Sequence, residues 1–196
     1  MDITWLGGNA FRMTSGGRTI ITDPDDAGPS GSTGADIVTV SHGPAPASGD
    51  AFLIVGPGEY EVRDVFMVGV ATEGLPEHDG VNTAYCLTMD DVTVCHLGAI
   101  GAPLTQAHRD EIGSVDVLIV PVTGPPGITP EAAVELVNVL EPALVIPVHG
   151  IGQGRLDQFL REMAAEETEP VPVLSVSSLR LPDQPEVRVL VPKKLD

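Results

Sequence analysis

The first half of the chain alternates short apolar runs with turn formers, the pattern of strands rather than helices. Ile3–Leu6, Phe11–Thr14, Arg18–Thr22, Ile37–Val40 and Phe52–Val55 are the first strand candidates. Ser15-Gly16-Gly17 and Gly56-Pro57-Gly58 read as turns, since proline presets one dihedral and glycine accepts positive φ. The stretch from Asp25 to Gly34 is rich in Gly, Pro, Ser and Asp and reads as a loop. Glu61–Ala71 and Thr83–Met89 are read as longer strands, and Val92–His96 returns from a turn at Asp90-Asp91. That register sets Met89 opposite Val92, and Cys86 opposite Cys95 on the same sheet face.

The second half alternates helix and strand signals. Thr105–Ile112 reads as a short helix capped by the Thr105 hydroxyl. Val115–Val120 is an apolar strand ending at Pro121. Thr129-Pro130-Glu131 is a helix start: a capping hydroxyl, proline in the first turn, then an acid near the positive helix end. Val134, Val137 and Leu140 follow at helical spacing. Ala143–Val148 is a strand ending at His149, and Arg155–Ala165 is an amphipathic helix. Val173–Val176 and Val187–Val191 are read as closing strands. No repeat or long linker interrupts this order, so residues 1–196 are read as one α/β domain.

Charge narrows the partners. The net charge is −18, and the only lysines are Lys193 and Lys194. Such a surface repels phosphate backbones and anionic lipid, so neither nucleic acid nor membrane is an expected partner. No apolar run approaches the ~20 residues of a membrane span, and the start lacks a signal-peptide pattern. A cytoplasmic protein is the expectation. In that compartment Cys86 and Cys95 are expected as packed, reduced thiols, with a cross-strand disulfide as the alternative.

Candidate chemistry gathers at strand ends, which feed the loops that carry sites. Of the five histidines, His42, His96 and His149 end predicted strands, and Asp23 ends another. One aspartate and three histidines suggest a metal; hydrogen bonds to neighbouring loops are the structural alternative. His108 lies on a polar helix face and is expected in solvent. No Gly-x-Ser-x-Gly elbow exists. Gly150-Ile151-Gly152-Gln153-Gly154 joins a strand to a helix, and its amides with Arg155 could hold an anion. A plain connection explains the same residues. Glu59 and Glu61 share a strand face and could act as a pair, or simply decorate a charged sheet.

Several ordered segments resemble the small metallo-β-lactamase-fold hydrolases, in the branch related to the ascorbate-phosphate lactonases. They are Ile3-Thr4-Trp5-Leu6-Gly7, Ile21-Thr22-Asp23-Pro24, the strand from Ala35 to His42, and Gly56-Pro57-Gly58-Glu59-Tyr60-Glu61-Val62. Asn82-Thr83, Cys95-His96-Leu97-Gly98, Val115 to Val122 and Pro147-Val148-His149 follow in order. The resemblance implies a four-layer αββα sandwich and a zinc-dependent hydrolytic site.

It also exposes what is missing. The family's His-x-His-x-Asp-His reads here His42-Gly43-Pro44-Ala45-Pro46-Ala47. Its Leu-Gly-His reads Leu6-Gly7-Gly8, and its His-Leu-Gly-Asp reads His96-Leu97-Gly98-Ala99. A further family histidine falls by spacing at Gly74, with His78-Asp79 as a possible substitute. On this mapping His42 and His149 are the residual metal ligands, one for each of the family's two metals, and Asp23 stands behind them. The replacements are Gly, Ala and Pro, which donate nothing to a metal. The expectation is therefore a non-catalytic binding or scaffolding protein holding no metal, or one weakly bound zinc, and a small-molecule or protein partner. The alternative is a metal-dependent hydrolase of a phosphorylated or lactone-like molecule with a reduced, mononuclear site. Apolar strand edges and proline-rich loops such as Pro125-Pro126-Gly127 leave a homo-oligomer open.

Overall fold

The computed structural model describes residues 1–24, 34–46, 49–149 and 153–193. Its strands are β1 (Asp2–Gly7), β2 (Ala10–Ser15), β3 (Arg18–Thr22), β4 (Ile37–Val40) and β5 (Phe52–Val55). Then come β6 (Gly58–Val62), β7 (Val65–Glu73), β8 (Val81–Met89), β9 (Val92–His96), β10 (Val117–Pro121) and β11 (Leu144–Val148). Two short strands, β12 (Leu174–Ser175) and β13 (Glu186–Val187), lie near the end. The helices are α1 (Gln106–Ile112), α2 (Pro130–Leu140) and α3 (Gln153–Glu162).

The strands form two mixed sheets. One runs β12-β1-β2-β3-β4-β5, the other β13-β11-β10-β9-β8-β7-β6. Alternation along the strands decides what each face meets. On β8, Tyr85, Leu87 and Met89 enter the core between the sheets, while Ala84 and Cys86 face the core under the helices. Between the sheets, Ile3, Trp5, Phe11 and Met13 meet Val94, Val117 and Ile146. On the outer face of the second sheet, Leu118, Val120 and Val145 pack against Leu136, Val137, Phe159 and Leu160 of α2 and α3. All three helices contribute to that core. This is the expected α/β sandwich, and the described residues supply its α, β and β layers.

Most predicted elements are found within one or two residues, and both threonine caps form. The Thr105 hydroxyl accepts from His108 N, and the Thr129 hydroxyl from Ala132 N, each at 3.3 Å. His108 is not simply in solvent: its ring is half-buried and its Nδ1 accepts from Thr105 N, completing a capping box.

Two strands are corrected. Glu61–Ala71 is not one strand but the inner part of a hairpin. Arg63 and Asp64 turn it with φ of 51° and 60°. Such a turn needs positive φ at both central residues, which Asn and Gly announce and Arg-Asp does not. Val187–Val191 is a strand only over Glu186–Val187; beyond it Val189 and Leu190 enter different cores, and Leu190 makes an isolated bridge to Val171.

Cys86 and Cys95 stand opposite each other as predicted, both buried and both free thiols. The Cys86 sulfur and full burial raise the Cys95 pKa well above the ordinary thiol range. Glu59 and Glu61 are both exposed on β6 at the end of the second sheet, as a charged sheet face would place them. Among the described residues no helix is long and apolar enough to cross a membrane.

Candidate functional site

Parallel pairing sets several strand ends side by side. β3 and β4 run parallel in the first sheet, and β9, β10 and β11 in the second. Their carboxyl ends carry Asp23, Ser41-His42, His96 and His149. This is where α/β sheets commonly build sites, because the chain leaves the ladder there with backbone groups unpaired.

The best-defined part is a relay from Asp23 to His42. Asp23 is buried with φ 41° and accepts from Ser41 N at 2.7 Å and from Ser41 Oγ at 2.5 Å. Ser41 Oγ also lies 2.7 Å from His42 Nδ1. A hydroxyl has one proton, and here it goes to the carboxylate. His42 Nδ1 must then donate to Ser41 Oγ. Ser41 is only 3% exposed, and its backbone is fixed from the other sheet, where Thr83 N donates to Ser41 O at 2.8 Å. The single Tyr85 Oη proton is shared between Gly56 O at 3.1 Å and Val40 O at 3.2 Å. Burial raises the Tyr85 pKa, so this phenol remains a donor. Removing the central hydroxyl tests the relay. Ser41→Ala is expected to lower the unfolding free energy by about 2 kcal/mol, since a charge-assisted buried hydrogen bond is lost. Urea unfolding measures it, and an unchanged midpoint would mean that the hydroxyl contributes nothing.

His96 is the second buried element. Its Nδ1 lies 3.9 Å from Asp23 Oδ2, beyond hydrogen-bond reach, and its ring meets Phe11 edge-on at 5.8 Å. Neither ring nitrogen makes a hydrogen bond within ordinary limits, although the nearby Asn9 backbone favours the protonated form. Burial, and next the His42 charge, pull the His96 pKa down to about 3. The Asp23 carboxylate pulls the other way. It is already engaged by two Ser41 donors, and full burial prevails.

Asn82 builds the floor. Its Nδ2 donates to Thr72 Oγ1 at 2.7 Å and to Leu97 O at 2.9 Å, while its Oδ1 accepts from Ala99 N at 2.9 Å. Between Asn82 and Ser41 sits Gly98 at φ +61°, where a Cβ would fall 2.4 Å from Ser41 Oγ.

His78 joins the site from an unexpected place. A 3-10 turn over Pro76–His78 brings its ring to 4.2 Å from that of His42, tilted by 47°. The pair forms a shared wall between two cavities. The smaller, about 160 Å³, is bounded by Asp23, Pro24, Pro44 and Pro46; the larger, about 510 Å³, by Val55, Glu77, Asp79 and Val81.

Among the described residues, the remaining predicted ones line neither of these two cavities. His149 is half-buried, its ring packed edge-on against Trp5 at 4.9 Å. Gly8 is exposed in the β1–β2 turn, where its carbonyl accepts from Trp5 Nε1. Ala99 is buried and lines neither cavity. Gly74, the position where a family histidine falls by spacing, is packed backbone to backbone. A Cβ there would lie 2.4 Å from Val81 O, and one on Gly101 would lie 2.4 Å from Gly74 O. Gly152 lies outside the described residues. Gly154 and Arg155 stand in the first turn of α3, and Arg155 lies over Gly124, where a Cβ would come 2.6 Å from its Nε.

Among the described residues, no group of three or more His, Cys, Asp and Glu side chains is placed to hold a metal ion. Ser41 is the site residue that sequence reasoning left unassigned, and His78 entered only as a possible substitute for a family histidine. Ser41 carried a signal, since a hydroxyl directly before a strand-end histidine can back its ring. His78 carried only its spacing, because its approach to His42 depends on how the β7–β8 connection folds.

Two facing mixed sheets, helices on one outer face and a histidine–aspartate site at the carboxyl strand ends define a sandwich of the metallo-β-lactamase type. The family profile described as beta-lactamase superfamily domain matches residues 2–149. A Thermotoga maritima protein of the metallo-β-lactamase superfamily, named as a candidate Zn-dependent hydrolase, superposes with a TM-score of 0.79. It is 34% identical, over 96% of this chain and 97% of its own. A UPF0173 protein of Pyrococcus abyssi is 23% identical over 193 residues, covering 83% of this chain and 90% of its own. A UPF0173 metal-dependent hydrolase of Pelotomaculum thermopropionicum is 26% identical over 192 residues, covering 76% and 84%. The chain belongs to the metallo-β-lactamase superfamily, and UPF0173 proteins are among its relatives.

Proposed function

We propose that this chain is a member of the superfamily that binds rather than hydrolyses. It is a non-catalytic binding or scaffolding protein with a small-molecule pocket at His42 and His78. The observation that carries this reading is the closed backbone at Gly74. The resemblance sets a metal histidine there, yet a Cβ would meet Val81 O at 2.4 Å and Val81 C at 2.5 Å. No side chain enters without parting the β7–β8 end. Ala99, at the position of the bridging aspartate, is buried with its amide held by Asn82. Proline stands at 44 and 46, where the resemblance sets a histidine and the hydrolytic aspartate, and both prolines line a cavity. Efficient metal hydrolysis needs about three protein ligands and an activated water. These substitutions withdraw the ligands.

Elemental mass spectrometry on protein produced with zinc and manganese, then desalted, tests the reading. The expected content is below roughly a tenth of a metal per chain, with melting unchanged by chelator. About one metal per chain, lost on His42→Ala or His149→Ala, would overturn it.

The Asp23–Ser41–His42 relay favours a second reading. A hydrogen bond behind a histidine fixes its tautomer, as metal-binding histidines require. The chain would then be a metal-dependent hydrolase, as its Pelotomaculum relative is named. Its substrate would be the phosphorylated or lactone-like molecule of the ascorbate-phosphate-lactonase-like branch. One weakly held zinc at His42 and His149 would supply the Lewis acid. The same metal measurement separates the two.

A further inference from the structure

We infer that the cavity beside the His42–His78 pair takes an organic cation with an apolar body, an amine or a protonated N–H heterocycle, rather than a phosphorylated or carboxylated molecule. This rests on the binding reading above and adds the chemistry of the ligand.

Size comes first. About 510 Å³ lies within the range of small-molecule sites, and the second cavity of about 160 Å³ adjoins it across the imidazole pair.

Charge comes next. The ionisable groups lining the larger cavity are His42, His78, Glu77 and Asp79, and those lining the smaller are Asp23, His42 and His78. Among the described residues, no lysine or arginine lines either one. Phosphate and carboxylate sites are built from arginine forks, lysines or helix N-termini, because an anion leaving water needs donors in return. Here the fixed charges are carboxylates, on a protein of net charge −18. The local field and the overall field both repel an anion and attract a cation.

Hydrogen-bond polarity agrees. The Ser41 proton goes to Asp23, so His42 Nδ1 is turned to Ser41 Oγ, and the acidic turn supplies carboxylate acceptors through Glu77 and Asp79. The polar side of the site thus consists largely of acceptors, complementary to an ammonium or ring N–H. The rest is apolar. Val55 and Val81 at its edge are 53% and 63% exposed, as Pro44 is exposed, and buried Val40 lines the cavity with them. An apolar body would cover the two valines, while its cationic end meets the acidic turn at Glu77-His78-Asp79.

Two probes with one body and opposite charge test this. The full chain is titrated at low salt with tryptamine and, separately, with indole-3-acetate. Heat and the imidazole C–H resonances of His42 and His78 are followed. Tryptamine is expected to bind about tenfold more tightly or better, shift both histidines and weaken as salt rises. The double variant E77Q/D79N is expected to lose about fivefold or more of that affinity. Asparagine keeps the left-handed backbone at 79, where φ is 55°, so the variant removes charge without refolding the turn. Equal or tighter binding of indole-3-acetate would overturn the inference while leaving the binding reading intact. So would no shift of either histidine with tryptamine up to about 5 mM, which covers millimolar affinity. One metal per chain would remove the binding reading itself, whichever indole binds.

Discussion

Gly98→Ala is expected to lower the unfolding free energy by about 4 kcal/mol. Two costs combine. Gly98 holds φ +61°, which a side chain adopts only with strain. The added methyl would also sit 2.4 Å from Ser41 Oγ, 2.5 Å from Ser41 Cβ and 2.6 Å from Asn82 Oδ1. Neither neighbour can give way easily. Ser41 is tied through its amide, carbonyl and hydroxyl, and Asn82 makes three hydrogen bonds to three partners. Gly113→Ala is the control. Its φ of +68° and ψ of −148° strain a side chain, but nothing lies within 4 Å of the added Cβ, so it should cost backbone strain alone, about 1–3 kcal/mol. Urea midpoints of the two variants separate backbone strain from crowding. If Gly98→Ala loses no more than Gly113→Ala, the junction between Ser41 and Asn82 is soft and does not hold the relay in place.

Acid is expected to destabilise the protein through His96. The folded-state pKa is about 3 against an ordinary 6.5. Above pH 6.5 the ring is neutral folded or unfolded and stability does not depend on it. As pH falls below 6.5 the unfolded chain takes up a proton that the native site refuses, so unfolding gains. The slope approaches about 1.4 kcal/mol per pH unit and flattens near pH 3, a total of about 5 kcal/mol. The chain has 28 acidic residues, so the raw pH curve mixes many titrations. The difference between wild type and His96→Leu isolates this one, because leucine is close in volume and does not titrate. Stability measured by urea from pH 7 to pH 4 should show wild type losing ground to the variant as pH falls. A flat difference curve would mean that the ring takes up its proton in the native state, held by Asp23.

The sequence carried the strand ends well. Ile37–Val40 and Phe52–Val55 were legible because each is bounded by turn chemistry and has an apolar run too short for a helix. Thr105 and Thr129 were legible as caps because a hydroxyl before a helical pattern has one dominant use. The β6–β7 hairpin was not, since positive φ at Arg63 and Asp64 is imposed by the pairing of their strands rather than announced by their own preference. Relatedness to the superfamily was legible in ordered segments from Ile3 to His149, and the family match covers residues 2–149.

The sequence by itself determined which donors exist near the site. Gly8, Pro44, Pro46, Gly74 and Ala99 offer no side-chain ligand in any fold, because the imidazole or carboxylate that would bind zinc belongs to the side chain. Tertiary structure decided which remaining groups meet and in what state. Ser41 became the bridge between Asp23 and His42 only because β3 ends beside β4. His78 became a partner of His42 only because a three-residue turn follows β7. The His96 pKa fell because two sheets closed over a ring that any unfolded chain would leave in water. Contact, burial and proton placement depend on distances between residues far apart in the chain, and folding sets those distances.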